Sequence, residues 1–136
     1  MRASLFIFTA FIALCTFACT HNEKVRNPAP ETIREFGDPS REIRVSVGEK
    51  FSIVLDSNAT TGYSWQTAKK AVGPVVKFIS RDYEAPRTKM AGAGGREHLT
   101  FRAESAGTEK LTFHYLRPWE KDTEPARTVT FTVVAK

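Results

Sequence analysis

The sequence predicts an all-β protein, an immunoglobulin-like antiparallel β-sandwich of about seven strands. Three observations carry this. Apolar and polar residues alternate along seven short segments within residues 41–136, the period of a half-buried strand. No apolar stretch repeats with the roughly 3.6-residue period of a helix. Gly, Pro, Asn and Asp break the pattern between segments, where turns need them.

The chain begins with a different kind of segment. Residues 1–18, MRASLFIFTAFIALCTFA, carry Arg2 and then an apolar run over 5–17. Such a run is short for a bilayer span and typical of a secretory signal peptide. Ala18 before Cys19 suits cleavage with lipid attachment to Cys19, as in bacterial lipoproteins. Thr16-Phe17-Ala18 also resembles an ordinary small-x-small cleavage site, so release without lipid is the alternative. Either way the protein is expected outside the cytoplasm, as a periplasmic or outer-membrane lipoprotein or as a secreted protein.

Both cysteines, Cys15 and Cys19, belong to this leader and its end. The domain proper therefore has no disulfide and needs a full hydrophobic core, which about 100 residues can supply. Removing 1–18 removes Arg2 and no acid, leaving 19 basic against 15 acidic residues, a net charge of +4. The basic residues are scattered, which fits a solvated mixed-charge surface and argues against a nucleic-acid partner.

Residues 19–40 are polar and include Pro28, Pro30 and Pro39. They read as a tether, with a short helical turn over 32–36. About 20 such residues reach up to roughly 60 Å when extended, enough to hold a domain away from a membrane.

The strands follow within residues 41–136. Ile43, Val45 and Val47 alternate in the first, Phe51, Ile53 and Leu55 in the second, Tyr63, Trp65 and Thr67 in the third. VVKFISRDY, residues 75–83, continues the pattern less cleanly. Leu99 and Phe101 mark the fifth, Leu111, Phe113 and Tyr115 the sixth, Val129, Phe131 and Val133 the seventh. Without a disulfide, aromatic packing around Trp65 has to fill the space between the sheets.

Connections of two kinds join these strands. GE, KAVGP and ESAGT are short and ordinary, whereas SNATTG, EAPRTKMAGAGG and PWEKDTEPA are longer or odd. The odd ones are the second, fourth and sixth. Successive connections alternate between the two ends of a sandwich, so all three fall at the same end.

Each odd loop has a functional and a structural reading. In the first, Asn58 suits an Asx turn and Gly62 a positive φ; Ala59, Thr60 and Thr61 lie between and Tyr63 follows. Stiff, small, hydrogen-bonding threonines suit contact with a partner, and a plain structural turn fits equally well. In the second, Gly92, Ala93, Gly94 and Gly95 offer bare backbone for main-chain pairing with a partner, or simply a loose hairpin. No Lys-Ser/Thr follows, so it is no phosphate loop. In the third, Pro118 ends the sixth strand and Trp119 stands among Arg117, Glu120, Lys121 and Asp122. A Trp ringed by charges reads as an exposed anchor for binding, folding back onto the sandwich being the alternative.

Catalysis finds little support. His21 lies in the tether, and His98 and His114 sit on separate strands without metal-ligand spacing. No Ser has a nucleophile-elbow context, and Glu120 with Asp122 reads as a solvated pair. The expectation is a binding protein, not an enzyme, with no cofactor and no metal.

Taken together, Asn58-Ala59-Thr60-Thr61-Gly62-Tyr63, Gly92-Ala93-Gly94-Gly95 and Arg117-Pro118-Trp119-Glu120 resemble the chagasin-type inhibitors of cysteine peptidases. That family has an NPTTGY/F loop, a GxxG loop and an RPW loop in this order on an immunoglobulin-like fold. The resemblance covers residues 41–136 and departs at Ala59, where the family has Pro. It implies reversible blockade of papain-like peptidases by a monomer, the three loops straddling the active-site cleft. Thr60 and Thr61 would meet the catalytic Cys-His pair, with Thr60 bonding near the His. The glycines would pair with the enzyme's main chain, and Trp119 would pack on an aromatic surface, its loop oriented by Arg117 and Glu120. A different class of function is a lipid-anchored carbohydrate- or surface-binding module, with Trp119 and Tyr63 as stacking platforms.

Overall fold

A computed structural model describes residues 32–68, 73–88, 90–120 and 122–136. The expected signal peptide 1–18, Cys19, residues 19–31 of the expected tether and part of the KAVGP link lie outside the described residues. A further strand, β1 (Arg34–Phe36), precedes the seven alternating segments, which form strands β2 (Ile43–Val45), β3 (Lys50–Ser57), β4 (Ser64–Thr67), β5 (Val76–Glu84), β6 (Gly95–Ala103), β7 (Gly107–Leu116) and β8 (Arg127–Ala135). They pair into two four-stranded sheets, β1-β3-β6-β5 and β2-β8-β7-β4. This is the expected immunoglobulin-like sandwich.

The period-two pattern becomes the core directly. Leu111, Phe113 and Tyr115 of β7 are buried while their neighbours are not, and Phe131, Val133 and Ala135 of β8 repeat this. Phe51 stacks on Phe101 at 5.8 Å, and Phe101, Phe113 and Phe131 follow one another at 6.1 and 6.2 Å across the two sheets. Trp65 is fully buried with its ring 4.9 Å from Tyr115, filling space between the sheets as the sequence requires.

Three features differ from the sequence expectation. The first concerns the segment read as tether with a helical turn: Arg34–Phe36 is strand β1, inside the compact unit Thr32–Lys136. Long-range contacts override its polar composition. It pairs with β3, Phe36 packs edge-on against Phe51 at 6.2 Å, Arg34 pairs with Glu49 at 3.2 Å and Glu35 with His98 at 3.3 Å. Three residues are too few to show a period. The second is strand direction. β1 with β3 and β2 with β8 are parallel, whereas the other pairs are antiparallel. The third is Val47, expected inward but exposed, because the chain has already left β2 and turns through Gly48 at φ 89°.

The uneven pattern of residues 75–83 also acquires a cause. The register of β5 on β6 slips between Phe78 and Ser80, a bulge that leaves both Phe78 and Ile79 about two-fifths exposed.

Candidate functional site

The threonine loop is built by its own side chains. Residues Ala59–Thr61 form a single 3-10 turn capped by Asn58, which is extended at φ −128° and ψ 94°. The Asn58 side-chain oxygen accepts from the Thr60 N–H at 3.1 Å and from the Thr60 hydroxyl at 2.6 Å. The Asn58 carbonyl accepts from the Thr61 N–H at 3.1 Å and the Thr61 hydroxyl at 2.7 Å. Gly62 then reverses the chain at φ 76°, a conformation costing an L-residue roughly 1–2 kcal/mol. Ala59, Thr60 and Thr61 are exposed at the apex.

The other two loops lean on this one, as the alternation of ends requires. The Asn58 side-chain amide donates to the Gly92 carbonyl at 2.9 Å, joining the threonine loop to the glycine loop. The Arg117 Nε donates to the Thr61 carbonyl at 3.1 Å, joining it to the tryptophan loop. Trp119 lies against Gly62: a Cβ on Gly62 would fall 2.3 Å from the Trp119 Cη2, so only glycine seats the ring. Trp119 nonetheless remains 65% exposed, which excludes its folding back into the sandwich. The Arg117 Nη1 donates to Glu120 at 2.9 Å, and this hydrogen bond raises the pKa of the guanidinium further above neutrality. All three loops border one hollow of 560 Å³ that Asn58, Thr61, Gly94 and Arg117 help to line.

Beneath the apex runs an aromatic stack of which the sequence named only Tyr63 and Arg117 as part of the site. Arg117 sits 4.6 Å from the centre of the Tyr63 ring, Tyr63 stacks on Tyr115 at 5.2 Å, and Arg127 lies 5.1 Å from the Trp65 ring. The Tyr115 hydroxyl accepts from the Asn58 N–H at 2.8 Å, supporting the loop from below. Position 115 reads in the sequence as an inward-facing strand residue, and nothing local marks its hydroxyl as a loop support. Arg127 likewise carries no local signal.

The glycines of the second loop divide into two roles. Gly92 is exposed at φ 78° with open space where a side chain would stand. Gly95 opens β6 opposite Ser57, and a Cβ there would meet the Glu84 carbonyl at 2.2 Å and the Tyr83 hydroxyl at 2.6 Å. Gly94 is exposed and lies close to the Ser57 carbonyl, 3.3 Å from where a Cβ would be, and the Ala93 N–H donates to the Met90 carbonyl at 3.2 Å. Pro118 is exposed ahead of Trp119, and the Glu120 N–H closes the turn on the Arg117 carbonyl at 3.0 Å.

Comparison with known proteins bears on the same region. Residues 44–133 match the model of the chagasin family peptidase inhibitor I42. Chagasin of Trypanosoma cruzi is 36% identical over 80 residues, which cover 57% of this chain and 73% of that protein. Amoebiasin-1 of Entamoeba histolytica is 33% identical over 78 residues, 57% of this chain and 74% of its own. The crystal structure of the cysteine protease inhibitor EhICP2 from Entamoeba histolytica has the same fold, with a TM-score of 0.64 at 24% identity over 76% of this chain and 96% of that one. The matched residues run from β2 into β8 and take in all three loops; the chain belongs to the chagasin family, inhibitors of cysteine peptidases.

Proposed function

We propose that the protein inhibits papain-like cysteine peptidases reversibly, presenting its threonine, glycine and tryptophan loops together to the active-site cleft. One observation carries this reading: the loops are hydrogen-bonded to one another through Asn58 and Arg117, by bonds internal to the chain. A binding edge ordered beforehand avoids much of the entropy cost of association. The apex also has suitable chemistry. The Thr60 and Thr61 hydroxyl protons are engaged inside the loop, so what each oxygen has left to offer a partner is accepting capacity, which suits an imidazolium N–H. A 3-10 turn presents no extended backbone for a peptidase to cleave, which suits a plug rather than a substrate.

Titration of a papain-like peptidase tests the proposal. Expected are 1:1 inhibition, recovery of both proteins intact on dissociation, and no effect on a trypsin-type serine peptidase. A covalent adduct, or cleavage within 58–62 that tracks the loss of inhibition, contradicts it. A carbohydrate-binding role for Tyr63 and Trp119 is disfavoured, because the Tyr63 ring is already engaged by Tyr115 and Arg117.

Ala59 offers a gain-of-function test. It opens the 3-10 turn, a position where an N–H has no partner within the turn and proline fits. Asn58 before it is extended, the conformation favoured for a residue preceding proline. Ala59→Pro is therefore expected to stabilise the loop by about 0.4–1 kcal/mol and to lower the inhibition constant roughly two- to fivefold. A weaker inhibitor would show that the turn is not held as described when bound.

Attachment through a lipid on Cys19 is part of the same proposal and rests on the Ala18-Cys19 junction. Metabolic labelling with a tagged fatty acid is expected to mark the parent and not Cys19→Ala. Equal labelling of the two removes the anchor and leaves plain secretion.

A further inference from the structure

We infer that Glu97 is a positioning residue for the threonine loop, a buried carboxylate that holds both of the loop's feet. The inference rests on the peptidase-inhibitor reading above and adds a residue outside the three loops. Glu97 occupies the core face of β6, in step with Leu99 and Phe101, and is only 4% exposed. A carboxylate at such a position is unfavourable unless hydrogen-bond donors converge on it.

They do converge, and from both ends of one loop. Ser57, the last residue of β3, donates its hydroxyl to the Glu97 Oε1 at 2.6 Å. The Trp65 N–H, at the start of β4, lies 3.3 and 3.4 Å from the two carboxylate oxygens. β3 and β4 belong to different sheets, so the loop between them crosses the sandwich with Glu97 seated beneath the crossing. Arg81 completes the arrangement, its Nε 3.6 Å from the Glu97 Oε2 while its Nη2 donates to the Trp65 carbonyl. A second tie runs in parallel, from the Trp65 indole N–H to the Asp56 carbonyl at 3.0 Å.

The chemistry calls for a carboxylate specifically. Hydroxyl, amide and guanidinium are all donors, and a carboxylate supplies acceptors on both oxygens. Glutamine supplies one oxygen and turns an NH₂ toward a donor. Without the clamp the feet of the loop separate more easily, and the order that Asn58 imposes at the apex no longer has a fixed base.

Three variants of the full chain decide the matter: Glu97→Gln, Glu97→Met, which keeps the core filled, and Val133→Ala as a core control away from the loops. Amide hydrogen exchange without any peptidase is the first readout, and inhibition well below each melting midpoint is the second. For both Glu97 variants, exchange at Thr61, Gly62 and Trp65 is expected to speed up about tenfold or more relative to the β7 and β8 amides. The inhibition constant is expected to rise about tenfold, whereas Val133→Ala changes neither. Parent-like loop exchange, an unchanged inhibition constant in a Glu97 variant, or the same changes in Val133→Ala would each overturn the clamp. If the parent inhibits no papain-like peptidase, the functional reading fails, while the exchange measurement still decides whether Glu97 holds the loop.

Discussion

Replacing Trp65 with alanine is expected to lower the stability of the domain by about 3–5 kcal/mol, the range for truncating a large aromatic in a packed core. Trp65 is fully buried, its ring lies 4.9 Å from Tyr115, and its indole N–H holds the Asp56 carbonyl at 3.0 Å. The substitution opens a cavity at the point where the two sheets meet beneath the loops, and it releases one of the ties between the feet of the threonine loop. For a domain of this size the melting midpoint falls by roughly 15–30 °C. Circular dichroism during a thermal ramp measures it. A fall of less than about 5 °C would mean that the sandwich closes around the loss and that Trp65 is not what fills the space beneath the loops.

Trp119→Ala is expected to do the reverse. The side chain is 65% exposed, so truncation removes little core packing and leaves the melting midpoint nearly unchanged. Binding suffers instead. A rigid aromatic seated on Gly62 and projecting from a loop tied down by Arg117 has the character of an interface anchor. Its loss is expected to cost about 2 kcal/mol or more, a roughly thirtyfold rise in the inhibition constant. Titration of a papain-like peptidase with parent and variant, alongside their melting curves, separates the two effects. Early melting of Trp119→Ala, or inhibition equal to the parent, would make the third loop structural and remove its part in the proposed edge.

The opposite expectations for the two tryptophans come from neighbours visible in the sequence. Trp65 alternates with Tyr63 and Thr67 in a strand, whereas Trp119 follows a proline among charges. The same kind of local pattern makes the loop residues legible: Asn58 and Gly62 have the backbone roles their types suggest, one capping the turn and the other at positive φ. The structural reading of the glycine loop was only half legible. Gly92 and Gly95 look alike in the sequence, yet one stands in open space and the other is required because β5 lies against it.

Features that depend on period or on counting are legible in the residues alone. Alternation of apolar residues marks seven strands and, Val47 and the bulged β5 apart, their inward faces, and the parity of the connections brings three unusual loops to one end, where Asn58, Gly92, Thr61 and Arg117 meet. Features that depend on register between distant strands emerge only when the sheets assemble. It recruits Arg34–Phe36 as an edge strand through Phe51 and His98, places the Tyr115 hydroxyl under Asn58, seats Trp119 on Gly62 and closes Ser57, Trp65 and Arg81 around Glu97. These partners lie 15 to 63 residues apart along the chain, and their meeting is set by how the two sheets align and pack, which neither composition nor local period encodes.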